Sequence, residues 1–271
     1  MSDDTTPAAA QEAAGCPPPA TMPALVIASR FCGPSRSGNG GYVCGRVAAR
    51  ADGPVTVTLR RPPPLATPMT VERGDEGFLR VHHGRTLIAE ATSSPDRPAL
   101  ETPGPVSMAE ARLAAGRARY FQDPVFADCF VCGINRQAGD GLRIFPGRVP
   151  GRMMWAAPWT PDSSVASTDG RVRPEVAWAA LDCPSGIAAA EHADLGPDIA
   201  FLLGRMTASL AVLPATGDEC RVTAWPVGRD GRKLTAGSAL LGPGGEVLAV
   251  ARAVWITVPR PAPALATEGT S

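Results

Sequence analysis

Val55-Thr-Val-Thr-Leu alternates apolar and polar positions with period two, and a strand is predicted there because successive strand side chains face opposite sides. Ala24-Leu-Val-Ile-Ala reads as a strand before it, and residues 69–72, 77–81 and 86–91 as strands after it. A turn near His83-Gly84 joins the last two. Between the first two strands, Gly38-Asn39-Gly40-Gly41 opens a segment of small residues, 42–49, predicted as a helix packed closely through Gly45 and Ala48. A second stretch follows the same order with longer strands. Gly141-Leu-Arg-Ile-Phe is predicted as its opening strand, continued at 153–157 after an insertion. Val176-Ala-Trp-Ala-Ala-Leu reads as its helix, with Pro174 in the first turn. Strands are then predicted at 206–210, 221–227, 234–241 and 246–258, divided by the turn signals Asp230-Gly231 and Pro243-Gly244-Gly245.

The two stretches align. Val55-Thr-Val-Thr-Leu matches Met206-Thr-Ala-Ser-Leu, and Gly84-Arg-Thr-Leu-Ile-Ala matches Gly245-Glu-Val-Leu-Ala-Val. Shared order together with shared wording predicts an internal duplication in an α+β chain. Residues 95–105 are Pro-rich, and Ser107-Met-Ala-Glu110 is a capping-box pattern leading into a helix at 111–121. The expected organisation is a disordered tail at 1–22, a first unit at 23–94, a linker with its helix at 95–125, a second unit at 126–258, and a disordered tail at 259–271.

Composition narrows the function classes. The 271 residues carry 26 basic and 26 acidic side chains, so no basic stripe is expected to neutralise the phosphates of a nucleic acid. No apolar run reaches the roughly 18 residues of a membrane span, and no secretory leader is read at the start. Seven cysteines without a disulfide framework predict a reduced, cytoplasmic protein. Aromatics are sparse at 5%, so an apolar pocket should be lined mainly by aliphatic side chains.

One helix followed by an antiparallel meander, present twice, resembles the double hotdog fold of acyl-CoA thioesterases. Cys129-Phe-Val-Cys132-Gly133 followed by Gly141-Leu142 resembles the lead-in to the first strand in one thioesterase branch. Arg173-Pro-Glu-Val-Ala-Trp-Ala-Ala-Leu-Asp182 resembles the hotdog helix that carries a catalytic acid in the phenylacetate-pathway branch. Asn39-Gly40-Gly41 resembles the His-Gly-Gly that opens the same helix. The resemblance runs over residues 24–258, and the whole chain also resembles a group of actinobacterial proteins of that superfamily. It implies two helices, each wrapped by a mostly antiparallel sheet, with the sheets joined and the active site between the units. The acid would come from one unit's helix and backbone N–H groups from the start of the other's.

Set against that scheme, the two halves are defective in complementary ways. Nine residues on from Asn39 stands Ala48 where the family has its acid. Nine back from Asp182 stands Arg173, with Pro174 and Glu175 in place of the glycines. The resemblance therefore implies one composite site, with Asp182 as general base or nucleophile, Asn39, Gly40 and Gly41 around the thioester carbonyl, and the Gly41 N–H as oxyanion donor. The implied substrate is an acyl-CoA, with coenzyme A entering as part of the substrate and no resident cofactor. A homo-oligomer is allowed but not required, because a covalently paired chain completes its own site.

Each residue also has a plainer reading. Asp182 precedes Cys183-Pro184 and equally fits the cap of a second helix beginning at Pro184. Gly38 to Gly41 also fits a turn into a helix, and Glu175 fits a favourable partner for a helix dipole. Cys129-x-x-Cys132 offers two of the four ligands of a structural zinc and no second pair stands at ribbon spacing, so a packed turn and no metal are expected. Cys32, Cys44 and Cys183 read as buried hydrophobes, His82 and His83 as a hairpin tip, and His192 as a helix end. Arg143, Arg148 and Arg152 fit scattered surface charge better than a phosphate site. A non-catalytic acyl-CoA or acyl-carrier binding module of the same fold is the alternative to an enzyme, and a purely structural role has little in its favour.

Overall fold

Residues 20–74, 77–94, 98 and 100–261 are described by the structure, a computed structural model. Of the expected tails at 1–22 and 259–271, residues 1–19 and 262–271 lie outside them, as does part of the Pro-rich segment; residues 20–22 instead belong to the first strand, and Pro259 ends the last. The first stretch contributes β1 (Ala20–Leu25), α1 (Gly40–Ala48), β2 (Val55–Leu59), β3 (Met69–Arg73), β4 (Leu79–His83) and β5 (Thr86–Ser93). After α2 (Met108–Ala115) and the short strand β6 (Gly147–Arg148), the second contributes β7 (Trp155–Trp159), α3 (Pro174–His192), β8 (Ile199–Leu210), β9 (Cys220–Asp230), β10 (Lys233–Leu241) and β11 (Val247–Pro259). The chain is thus α+β, with few helices and a large antiparallel sheet.

The eleven strands lie in the order β1-β3-β4-β5-β2-β8-β11-β10-β9-β7-β6. Outward from the centre, each side runs through the strand after its helix, then the last, the third and the second of its meander, to the strand before its helix, β1 on one side and β7 on the other, where β6 adds a further edge strand. β2 and β8 meet at the centre, antiparallel, with Thr56 opposite Thr207, Val57 opposite Met206 and Thr58 opposite Arg205. Val57 and Met206 are fully buried on one face. On the other, the Thr56 and Thr207 hydroxyls share a hydrogen bond of 2.7 Å and Arg205 donates to Thr58 Oγ1 at 3.0 Å. Period-two patterning thus sets both the register and the contents of the seam.

α1 packs on β2 and β8, and α3 packs chiefly on β9 and β10. Gly41 and Gly45 lie one turn apart on α1 and let α3 cross it with almost no gap. A Cβ at Gly41 would fall 2.4 Å from Asp182 Cβ, and one at Gly45 would fall 2.6 Å from Glu175 Cα. α3 is apolar all round because every residue from Val176 to Ala190 is buried, so it carries no amphipathic period for the sequence to show. It therefore extends far past the predicted 176–181. It also runs straight through Pro184, and Asp182 does not cap a second helix. Polar groups from the sheet hold it there: Ser238 Oγ donates to Leu181 O at 2.7 Å, and Trp255 Nε1 donates to Ser185 Oγ at 2.9 Å. Ser185 in turn donates to Asp182 O at 2.7 Å.

Two further expectations need correction. Residues 141–145 are not the opening strand of the second stretch, a role that β7 takes beside β9. Their amides instead bond to the Cys129 turn, Leu142 N–H to Phe130 O at 2.8 Å and Ile144 N–H to Val131 O at 3.0 Å. An isolated extended segment carries the same local signal whether its partner is a sheet or a turn. The linker helix starts where its capping box predicts, at Ser107 and Glu110, but ends at Ala115, and a 3-10 turn occupies Arg119–Gln122. Ala111 and Ala114 of α2 pack on Val149, Met154 and Ala156, which covers the far edge of the sheet.

Candidate active site

The close crossing of α1 and α3 fixes the site. Asn39 caps α1, and its Oδ1 accepts the Tyr42 N–H at 2.9 Å. Its Nδ2 is then free to donate, and does so to Asp182 Oδ2 at 2.9 Å. An asparagine can cap and donate at once, whereas aspartate, serine or threonine there would lack an amide donor. The Gly41 N–H donates to the same Asp182 Oδ2 at 2.9 Å. Asp182 is 1% exposed, and its Oδ1 is buried without a hydrogen-bond partner. Burial pushes its carboxyl up to about 7; the Gly41 N–H draws it down, the Cys129 sulfur pushes it up, and Asn39 draws it down.

Asn39, Gly41 and Asp182, far apart in sequence, are therefore brought into hydrogen-bond contact. One role changes. The Gly41 N–H is taken by the carboxylate and is not a free oxyanion donor. Among the first amides of α1, those of Tyr42 and Val43 are also taken, by Asn39 Oδ1 and Asn39 O. The Gly40 N–H is the one left without an acceptor among the described residues, and Gly40 lines the cavity described next.

That cavity holds about 670 Å³ and has Asn39, Gly40, Asp182 and three cysteines along one wall. Its apolar lining combines Leu59, Ile187, Leu202, Leu203, Ile256 and Val258 with four aromatics, Tyr120, Phe126, Phe201 and Trp255, so aliphatic side chains are in the majority, as expected. Burial raises the Tyr120 phenol and keeps it neutral. Arg36, Arg61 and Arg232 line the same cavity and are exposed, which gives it a cationic rim, while Arg60, also in the lining, is paired with Glu90. Arg143, Arg148 and Arg152 do not line it, and Arg152 is spent on Pro103 O and Pro105 O. His82 and His83 sit at the end of β4 and His192 at the end of α3, and none lines the cavity.

The cysteines are the part that sequence spacing missed. The Sγ atoms of Cys129, Cys132 and Cys183 all lie within 4.8 Å of one another, and Cys129 Sγ is 3.6 Å from Cys183 Sγ. Asn39 Nδ2 is 3.8 Å from Cys129 Sγ and 3.7 Å from Cys183 Sγ. Cys129-x-x-Cys132 was visible, but the third thiol comes from α3, and only the crossing of the helices brings it near. The thiols of Cys132 and Cys183, then the amides of Cys132 and Val131, hold the Cys129 thiol well below its ordinary range, and those of Cys132 and Cys183 are held above it. The turn is anchored by aromatics: Phe130 meets Phe31 edge-on at 4.9 Å, and Phe31 stacks on Tyr42 at 4.0 Å.

The chain is similar to solved structures of thioesterase superfamily proteins. One, a thioesterase superfamily protein, is 16% identical with a TM-score of 0.38 over 43% of this chain, and the match spans only 57% of that protein's length. A thioesterase from Haemophilus influenzae is 14% identical with a TM-score of 0.41, over 47% of this chain and 85% of its own. A hypothetical thioesterase from Streptococcus pneumoniae, solved with coenzyme A, is 9% identical with a TM-score of 0.36, over 41% and 89%. No protein-family model and no curated protein matches the chain. No helix among the described residues is long and apolar enough to cross a membrane.

Proposed function

We propose that the chain is a double hotdog that hydrolyses an acyl-CoA thioester at one composite site between its halves. The fold reading is supported by the mirrored strand order about the β2–β8 seam. The observation that carries the activity is the Asp182 carboxylate, delivered from α3 to the N-terminus of α1 in a cavity with an apolar lining and a cationic rim. Such a cavity suits an amphiphile, with its acyl group against the aromatic wall and its phosphates at the arginines.

The chemistry follows from the donors. The thioester oxygen accepts from the Gly40 N–H, and the α1 dipole favours the charge that develops there. Asn39 and Gly41 hold Asp182 Oδ2, which leaves Oδ1 to take a proton from water as the water oxygen bonds to the carbonyl carbon. The tetrahedral intermediate then expels the thiolate, and the proton passes from Asp182 to the departing sulfur. Asp182 is the catalytic residue; Asn39 and Gly41 are positioning residues.

Thiol release from acyl-CoAs of increasing length, including aryl groups, tests this. Asp182→Asn should lower turnover by about 10²-fold or more, the usual worth of a general base. Unchanged turnover would overturn the assignment. A second reading, a non-catalytic acyl-CoA binding module, is favoured by the engaged Gly41 N–H; it would show as thermal stabilisation by acyl-CoA with no thiol released.

A further inference from the structure

Three buried thiols stand beside Asp182 with no use in this hydrolysis. Cys129 and Cys132 flank a tight turn in which the Gly133 N–H donates to Cys129 O at 2.8 Å. Gly133 is needed there, since a Cβ would lie 2.5 Å from Cys129 O and 2.7 Å from Ala127 O. The third sulfur, from Cys183, closes the group from the opposite side.

We propose that Cys129, Cys132 and Cys183 bind a zinc-class divalent cation through three thiolates. In tetrahedral coordination, zinc–sulfur bonds of about 2.3 Å place sulfurs about 3.8 Å apart. The cluster is already near that spacing, with 3.6 Å between Cys129 and Cys183 and all three sulfurs inside 4.8 Å. Soft thiolates with no hard donor among the three select zinc-class ions over magnesium or calcium. Asn39 Nδ2, 3.8 and 3.7 Å from two of the sulfurs, sits as an outer-shell donor. A fourth position remains. No carboxylate oxygen among the described residues joins the three sulfurs within 4.8 Å, so that position falls to water or another small ligand. Binding displaces the thiol protons to solvent and requires no oxidant or reductant.

The site is independent of the thioesterase reading, and its test uses no acyl-CoA. The full chain, reduced and stripped with a chelator, is titrated with Co²⁺ and then Zn²⁺. One Co²⁺ per chain should bind, with sulfur-to-cobalt charge-transfer absorption and the intense visible bands of a tetrahedral ion, and Zn²⁺ should bleach both. Cys132→Ser and Cys183→Ser should each weaken binding by more than the roughly 10–100-fold that loss of an outer-shell partner costs. Cys220→Ala, remote on β9, should leave it unchanged. Absence of the bands in the reduced wild-type chain overturns the proposal without reliance on any variant's folding. So does their persistence in both serine variants, or a Cys129–Cys183 disulfide in the isolated protein that, once reduced, yields thiols blind to Zn²⁺. Thiol release with and without metal is measured separately, so loss of one reading does not decide the other.

Discussion

The two helices start on different residues and carry opposite equipment. α1 starts with Asn39 as cap and Gly40 and Gly41 as its first two residues; α3 starts with Arg173, Pro174 and Glu175. At its first helical position α1 offers an N–H, and α3 offers a proline that has none. Nine residues past the cap, α3 carries Asp182, whereas α1 carries Ala48 and has ended. At the start of α3 the Arg173 guanidinium lies 5.6 Å from the centre of the Phe31 ring, which stacks on Tyr42 of α1.

The largest expected effect separates the two acids. Asp182→Asn should cut thiol release by about 10²-fold or more, while Glu175→Gln, at the equivalent helix start, should keep it within about twofold. Equal losses in the two would break the asymmetry. Next is the crossing itself. Gly41→Ala forces a Cβ against Asp182 and the Trp178 carbonyl, and about 3 kcal/mol of stability should be lost in denaturant unfolding, the upper end of ordinary overpacking. Gly53→Ala, whose Cβ would meet nothing within 4 Å, should change little. Ser107→Ala at the α2 cap should cost about 1 kcal/mol by the same measurement. A double-mutant cycle of Thr56→Ala and Thr207→Ala should return a coupling of about 0.2–1 kcal/mol across the seam. A value of zero would show that the halves are held by backbone pairing and burial alone.

The smallest effect depends on pH. The Arg260 hydrogen bond holds the exposed Asp123 carboxyl below its ordinary value. A carboxyl depressed in the folded state stabilises above its unfolded pKa, and the gain disappears as pH falls through the folded value. Arg260→Gln should therefore matter slightly at neutral pH and not at all in strong acid, as read by melting temperature against pH.

Much of the strand architecture was legible because a half-buried strand writes its environment into alternate residues, as in β2, whose predicted and observed bounds coincide at Val55–Leu59. The shared wording of residues 55–59 and 206–210 marked two equivalent strands, but that these strands pair with each other came only from the structure. α3 was half legible, since a helix buried on every side has no polar face to mark its length. Residues 141–145 misled because an extended segment looks the same from within wherever its hydrogen bonds go. At the candidate site, Asn39, Gly40, Gly41 and Asp182 were all visible by resemblance, but the destination of the Gly41 N–H was not. The thiol cluster was one-third hidden: Cys183 stands 51 positions beyond Cys132. Nothing local links them.

By itself the sequence determined the alternation that makes the strands, the small residues that let two helices touch, and the loss of an acid from one helix and of glycines from the other. Those are properties of single residues and their near neighbours. The tertiary structure alone decided that the carboxylate would consume the Gly41 amide and leave that of Gly40 free. It also decided that a thiol from α3 would join two from a distant turn. Both outcomes depend on distances of a few ångströms between segments far apart in the chain, set by how closely α1 and α3 cross.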